Sequence, residues 1–416
     1  MKNLLTTIFT TICLIVIVSC SSGKGEVPVV DIDAPNGSID LKLSDLLVDI
    51  KMVPLETKDG LLLGSGTYKV SGKYIVYYDS KAIHLFDSNG KYLKQLAVAG
   101  GGPNEFNMIS GMLLDEGRDI VYYADLKNRD LIYRIDLLSG THQEPLEVVL
   151  NDKSFSFAEV DNSGNIYGFF AGGALNVFVV GERKEEIADP GIVHRYNVET
   201  GAIEAVELSG SFISSATSRS VVKYGDDIYL HDNSYSDTLF LYSKGILSPA
   251  MVTEMKGLML DPMEGGYSMG ISVAYKDGFL LKHSYSKIDV VTGASGEISS
   301  ITVRKPVQSY LLANKKRGEI YKLNSLYIDP MGASIDVIKM LDLQQSGEPQ
   351  LLGREEFVTV SGDYVFCKID AYKMITLGEI ALESDNLTAR EKETLRGIVS
   401  SLTEESNPVI ITGKVK

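Results

Sequence analysis

Five histidines, His84, His142, His194, His231 and His283, are the first place to look for metal or acid–base chemistry, because imidazole titrates closest to neutrality. None lies two, three or four residues from another, so no single strand or helix offers two of them to a zinc ion. His231 in DIYLHD and His283 in FLLKH end two similar units. Placed around a common axis they would share one channel mouth, joined by Asp232; two half-exposed strand histidines are the plainer alternative. Asp79, Asp125 and Asp232 also end comparable units. They are candidates for an axial carboxylate set, and they suit turn capping equally well, since Asp accepts nearby backbone N–H groups.

The remaining motifs assign no catalytic, cofactor-binding or metal-binding residue. DIDAPNG (31–37) begins like a calcium loop with Asp31 and Asp33, but Pro35 takes the third ligand place and Lys42 stands where a bidentate Glu belongs. Cys367 lies in the alternating apolar stretch YVFCKID without a clear histidine partner, and reads as a small core residue. LAVAGGGPNEF (96–106) has the glycines of a phosphate loop. Such a loop needs a helix N-terminus after it and a Lys-Ser/Thr pair. Here NMISGMLLDEGRDIVYYAD leads straight into another strand unit. The stretch therefore reads as a tight crossing, with Glu105 placed to accept backbone N–H bonds.

The elements that would position these residues are strands. From residue 45 onward the dominant period is two, with Tyr, Ile, Val and Phe alternating between Gly, Asp and Asn turns. Asn89-Gly90 is a hairpin signal. Taking Ile75, Ile120, Ile166, Ile228, Phe279 and Val365 as equivalent anchors gives intervals of 45, 46, 62, 51 and 86 residues, the spacing of β-propeller blades. GEIYKLN (318–324) is either a seventh anchor or the outer hairpin of a fifth blade with a long insertion. The predicted fold is an all-β propeller of six or seven blades, with a helix over 386–402 capped by Asn386 and terminal strands 43–57 and 409–416 closing the ring. Of 22 Tyr, adjacent pairs such as Tyr77-Tyr78 and Tyr122-Tyr123 must face opposite ways. Most are expected between blades and some on a ligand-facing rim.

The N-terminus reads as a targeting segment. Lys2 precedes the apolar run Leu4–Val18, and Ile17-Val18-Ser19-Cys20 matches a lipobox. Cleavage before Cys20 makes residues 1–19 a lipoprotein signal peptide, Cys20 the lipidated residue, 20–40 a tether and 41–416 one propeller domain. Several acyl chains on Cys20 would hold the protein to a membrane, since one chain alone is marginal. The formal net charge is −15, and losing Lys2 makes it more negative. With NKKRGE (314–319) the only basic run of note, nucleic acid is not expected as a partner.

AGGGPNEF resembles the Gly-x-Gly-Pro-x-Glu-Tyr/Phe signature of a six-bladed β-propeller lipoprotein family widespread in Bacteroidetes. LSDLLVDIKMVPLET, YIVYYDSKAIHLFDSNGKYLKQL, YSDTLFLYSKGILSPAMVTEM and SNPVIITGKVK are similar to further parts of that family, in order along nearly the whole mature chain. Phe106 replaces the commoner Tyr, and the third unit is unusually long. The resemblance implies six blades and transfers no catalytic residue. Together these features predict a monomeric, non-enzymatic binding module without a cofactor, anchored through Cys20 in the outer membrane on its periplasmic or surface side, with an envelope protein or glycan as partner. The alternative is a metal-dependent hydrolase or lactonase using axial carboxylates.

Overall fold

The computed structural model describes residues 27–58, 60–128, 130–148, 154–171, 192–207, 219–232, 237–254, 266–286, 288–292, 298–303, 307–327, 329, 358–383, 385 and 387–416. Six antiparallel blades of four meander strands, A to D, stand in a ring. Blade one is Thr67–Val70, Tyr74–Tyr78, Ala82–Asp87 and Tyr92–Val98. Blade two runs over Ile109–Asp115, Ile120–Asp125, Leu131–Asp136 and His142–Glu147, and blade three over Ser154–Val160, Asn165–Ala171, Ile192–Asn197 and Ile203–Glu207. Blade four is Arg219–Tyr224, Asp227–Asp232, Thr238–Ser243 and Ile246–Glu254; blade five is Gly266–Tyr275, Gly278–Ser286, Val307–Asn314 and Glu319–Tyr327. Blade six takes Thr359–Ser361, Tyr364–Ile369 and Val409–Val415 from the C-terminal end. The A strands of successive blades contact one another and so surround the axis.

The segment 318–324 thus belongs to the outer strand of blade five, and the insertion in that blade carries a separate hairpin, Ile288–Thr292 with Ile298–Val303. There is no seventh blade among the described residues.

Ring closure follows the expectation and extends it. Three N-terminal strands, β1 (Val29–Asp31), β2 (Ser38–Lys42) and β3 (Leu47–Pro54), cover three consecutive outer edges. β1 adds in parallel to the D strand of blade four, Val29 opposite Val252, and β2 in parallel to that of blade five, Ser38 opposite Lys322. β3 supplies blade six with its D strand, antiparallel to Val409–Val415. A short helix, α1 (Leu43–Leu46), makes the step between the last two. Residues 20–26 of the expected tether lie outside the described residues, whereas β1 and β2 place the start of the sheet ahead of residue 41. Pairing these edges satisfies backbone groups that would otherwise recruit another chain.

The core is six clusters, one between each pair of neighbouring blades. Alternation sends adjacent residues to opposite sides. Tyr123 packs with Val76, Ile83 and Leu85 towards blade one, while Tyr122 packs with Ile166 and Tyr196 towards blade three. Ile228 faces blade three and Tyr229 faces blade five, where its ring meets Phe279 edge-on at a centroid distance of 5.0 Å. Tyr77, Tyr122, Tyr123 and Tyr229 are all fully buried, so these tyrosines are core residues. Cys367 is buried between blades five and six, as expected.

Two helices sit between the second and third strands of blade six. α2 (Ala371–Glu383) starts directly after the strand in YVFCKID; it buries Met374, Leu377 and Ala381 against the cluster of blades five and six. α3 (Ala389–Ser401) starts later than expected. Thr388 is its N-cap, its hydroxyl accepting from the Glu391 N–H at 3.3 Å while the Glu391 carboxylate accepts from the Thr388 N–H at 2.7 Å. This reciprocal box satisfies two end donors at once; Asn386 itself lies outside the described residues. Leu387, Leu395, Ile398, Val399 and Leu402 form the expected apolar stripe.

Candidate binding face

The two ends of the propeller are built differently. Every A–B and C–D turn is two to five residues long, and all of them lie at one end. The described B–C and D–A connections lie at the other end, and they include the long segments 55–66 and 99–108, the hairpin insertion of blade five, and α2 with α3.

At the tight-turn end, A–B turns of neighbouring blades hold each other. Gly72 donates its N–H to Glu116 Oε2 at 3.2 Å, and Lys73 Nζ reaches Glu116 O at 3.1 Å and Asp119 Oδ1 at 3.0 Å. Asn162 Nδ2 donates to Asp226 Oδ1 at 2.6 Å and its Oδ1 accepts from Lys223 Nζ at 2.7 Å. The Gly225 N–H reaches Asp363 Oδ1 at 3.2 Å, linking blade four to blade six. These bonds draw five of the six A–B turns together around the axis.

Above them lies a residue that the sequence did not single out. Glu159, on the A strand of blade three, is buried beside a bulge at Phe157/Glu159, and its Oε1 accepts from the Val160 N–H at 2.9 Å. Burial raises its pKa above the ordinary 4.5; Lys223 and Lys69, on the A strands of blades four and one, pull against that shift, and Asp363 adds to it. The only sequence signal is a glutamate between Ala158 and Val160, in a stretch whose neighbours are apolar.

The glycine-rich loop turns a corner, as its composition predicts. Gly100 and Phe106 close it through a Gly100 N–H to Phe106 O bond of 2.9 Å and a Phe106 N–H to Val98 O bond of 3.1 Å. Glu105 Oε2 accepts from the Gly102 N–H at 2.7 Å. A Cβ on Gly100 would run into that carboxylate, and Asn104 adopts φ +65°, so the loop is committed to holding itself. Phe106 is fully buried between blades one and two, edge-on to Tyr123.

Asp125 is the pin beside it. It is 3% exposed, and its carboxylate accepts N–H bonds from Asn107 at 2.7 Å, Met108 at 3.2 Å and Lys127 at 3.0 Å. The Leu126 N–H donates to Met108 O at 2.9 Å. One buried carboxylate therefore fixes two neighbouring connections, and those connections expose apolar tips: Met108 at 54% and Leu126 at 39%, near Val98 at 37%. Tyr372 and Ile380 on α2 add exposed apolar side chains to the long-connection end. Rigid, exposed apolar groups with polar surroundings are what a recognition surface needs.

The other sequence candidates fall out of chemistry. Asp79 accepts from the Lys81 and Ala82 N–H groups at 2.7 and 3.0 Å and from Tyr77 Oη at 3.0 Å, which makes it a turn cap. The side chain of Asp232 lies outside the described residues. His231 and His283 face the layer between blades four and five from its two sides, on B strands, rather than the axis; His231 is 1% exposed. Burial lowers the pKa of His283, with Asp33 opposing, and its Nδ1 lies 3.5 Å from Ser309 Oγ. Among the described residues, no three His, Cys, Asp or Glu side chains come together as a metal site.

Fold and site define the class: a six-bladed β-propeller with one latched end and one long-connection end. Residues 27–414 match the domain of unknown function DUF4934, and the chain belongs to that family. Among solved structures it is similar to a Bacteroides fragilis protein described as exported, with 14% identity, a TM-score of 0.54, and coverage of 93% of this chain and 99% of that one. At that identity the likeness shows the fold alone. A Neurospora crassa Pan2 WD40 domain matches more weakly, at 10% identity and a TM-score of 0.32, covering 62% of this chain and 73% of that one. No curated protein matches the chain.

Proposed function

We propose that this protein is an envelope lipoprotein, held through Cys20 in the outer membrane, that acts as a non-enzymatic binding module and presents its long-connection end to an envelope protein or glycan. The observation carrying this reading is the asymmetry of the propeller. Its short turns lock one end, while the exposed apolar tips Met108 and Leu126 stand on a pinned support at the other. The lipobox at 17–20 and the exported character of the Bacteroides fragilis relative support the location. The axial-carboxylate hydrolase has no comparable support, because Asp79 and Asp125 are spent on turn N–H groups.

Photo-crosslinkers placed at Met108 and Leu126 in the native envelope test the reading, with Ser139 at the opposite end as control. Capture of one defined partner from the first two positions only is the expected result. Lactone or ester turnover that EDTA abolishes would refute it. A small glycan present at 100 times its Kd would add about 2.7 kcal/mol of stability, so a melting shift across a glycan panel separates glycan from protein partners.

A further inference from the structure

We infer that the outer edge of blade three, the strand Ile203–Glu207, is a strand-addition site for an extended basic segment of a partner protein. The inference goes beyond the reading above, since it needs neither lipidation at Cys20 nor the long-connection end.

The first observation is how the six outer edges are finished. An unpaired edge strand invites another chain, and proteins blunt such edges with bulges, prolines or a covering strand. Blades four and five are covered by β1 and β2. In blade one the pairing of the outer strand slips twice, the Tyr92 N–H donates to Glu56 Oε2 at 2.8 Å, and Leu96 O lies 3.2 Å from His142 Nε2. Blade two carries Pro145 with a slip beside it, and Glu144 O accepts from Arg134 Nε at 2.9 Å. Blade six slips at Asp49, which adopts φ +52°, and its outer strand ends at Pro54. Blade three has none of these. Ile203 to Glu207 pair one for one with Tyr196 to Ile192, without bulge or proline. The Asn197 N–H bonds Ala202 O at 2.9 Å, so by the alternation of an antiparallel ladder Ile203, Ala205 and Glu207 turn their N–H and C=O groups outward. Among the described residues no hydrogen bond reaches the outward groups of Ile203 or Ala205, and Ala205 is exposed.

The second observation is what a fifth strand does on this fold, and which charges it would meet. β1 and β2 run parallel to their D strands and add side chains to the layers between blades. Val30 and Ile32 join the cluster of blades four and five, and Leu41 joins that of blades five and six. A strand added to blade three in the same way would alternate likewise. One row of its side chains would lie along Ala205 and along Ile203, which is only partly buried against the cluster of blades two and three. The other row would meet Glu204, whose side chain is 55% exposed. Charge is the one guard on this edge. Residues 197–207 contain Glu199, Glu204 and Glu207 and no Lys or Arg. Arg195 on the adjacent strand pairs with Glu204, Nη2 to Oε2 at 2.9 Å. The outer strands of the two neighbouring blades add Glu144, Glu147 and Glu254 and again no Lys or Arg. Two copies of this chain meeting edge to edge would set like charges opposite each other, which is destabilising. A segment that alternates apolar residues with Lys or Arg gains on both rows, with main-chain bonds supplying affinity and side chains the selection.

Full-length protein mixed with a soluble peptide of about six alternating valine and lysine residues tests the inference, read by hydrogen exchange and mass spectrometry. The expected result, with the peptide in excess, is exchange slowed by about tenfold or more across residues 199–207. Exchange across Tyr92–Val98 and His142–Glu147 should not change. A peptide with glutamate in place of lysine should protect nothing, and neither should the valine–lysine peptide N-methylated along its backbone. Ala205→Pro removes an outward N–H and no ladder bond, a position where an edge strand tolerates proline. It should abolish the protection while exchange in the other blades stays as in the parent. The N-methylated peptide reads the same bonds without altering the protein. The strand-addition site is overturned if the valine–lysine peptide gives no protection, or if it protects the blade-one or blade-two edge equally. Protection that survives N-methylation, Ala205→Pro or reversal of the peptide charge overturns it as well.

Discussion

Replacing Asp125 by Ala should loosen the long-connection end while leaving the blades standing. The carboxylate accepts three backbone N–H groups, from Asn107, Met108 and Lys127, at 2.7 to 3.2 Å. A hydrogen bond to a charged group contributes about 1.5–3 kcal/mol, and three would approach the largest single-site losses seen in proteins. Asn107, Met108 and Lys127 are exposed residues, so water replaces part of what is lost; about 2–4 kcal/mol remains as the local cost. At 1.4 kcal/mol per tenfold, 2 kcal/mol is about a 30-fold loss of protection from hydrogen exchange. The assay is native-state exchange followed by mass spectrometry. Peptides covering 105–110 and 125–129 should lose protection by at least that factor, while those covering Tyr74–Tyr78 or Val409–Val415 keep theirs. Capture at Met108 should fall in parallel. Unchanged protection of 105–110 would refute the reasoning, since it would mean that these N–H groups do not depend on the carboxylate.

Four further outcomes follow from single residues. Gly278→Ala would drive a Cβ into the Ala313 carbonyl of the adjacent strand, and denaturant titration should show about 1–3 kcal/mol lost. Gly101→Ala meets nothing within 4 Å and should stay within about 0.5 kcal/mol of the parent. For Glu159, burial raises the folded pKa above the 4.5 of the unfolded chain. The folded state therefore holds its proton more tightly, and this residue's contribution is most favourable below pH 4.5 and is lost as pH rises through the raised folded value. Glu159→Gln should stabilise the protein at neutral pH relative to parent, with the gain shrinking as pH approaches 4.5 in a pH series of unfolding curves. A constant difference across pH would show that the carboxyl does not titrate differently in the two states. Thr388→Ala removes the α3 cap and should cost about 1 kcal/mol, read by exchange at Arg390 to Glu393.

What the sequence by itself determined was the repeating, local part of this molecule. Strand alternation, turn chemistry at Asn89-Gly90 and Asp79, the corner made by Gly100 to Glu105, the core role of Cys367 and the paired tyrosines all depend on neighbours a few residues away. Their spacing was enough to give a propeller of six or seven blades and to join the two termini, because an open ring leaves an unpaired strand edge. Helix α2 escaped because AYKMITLGEIALE follows a strand without a break in apolar character, and periodicity over its first four residues does not separate strand from helix. Tertiary structure alone decided the rest. The strands β1 and β2 pair with residues more than 200 positions away, and nothing local specifies a parallel partner. Asp125 reaches back 17 and 18 residues to pin Asn107 and Met108. Glu159 feels Lys69 and Lys223, and Lys244 shares a rim with Lys276 and Arg317, because ring closure sets residues from different blades side by side. Period and turn type are short-range properties of a chain, whereas the placement of charge around an axis exists only once the circle is closed.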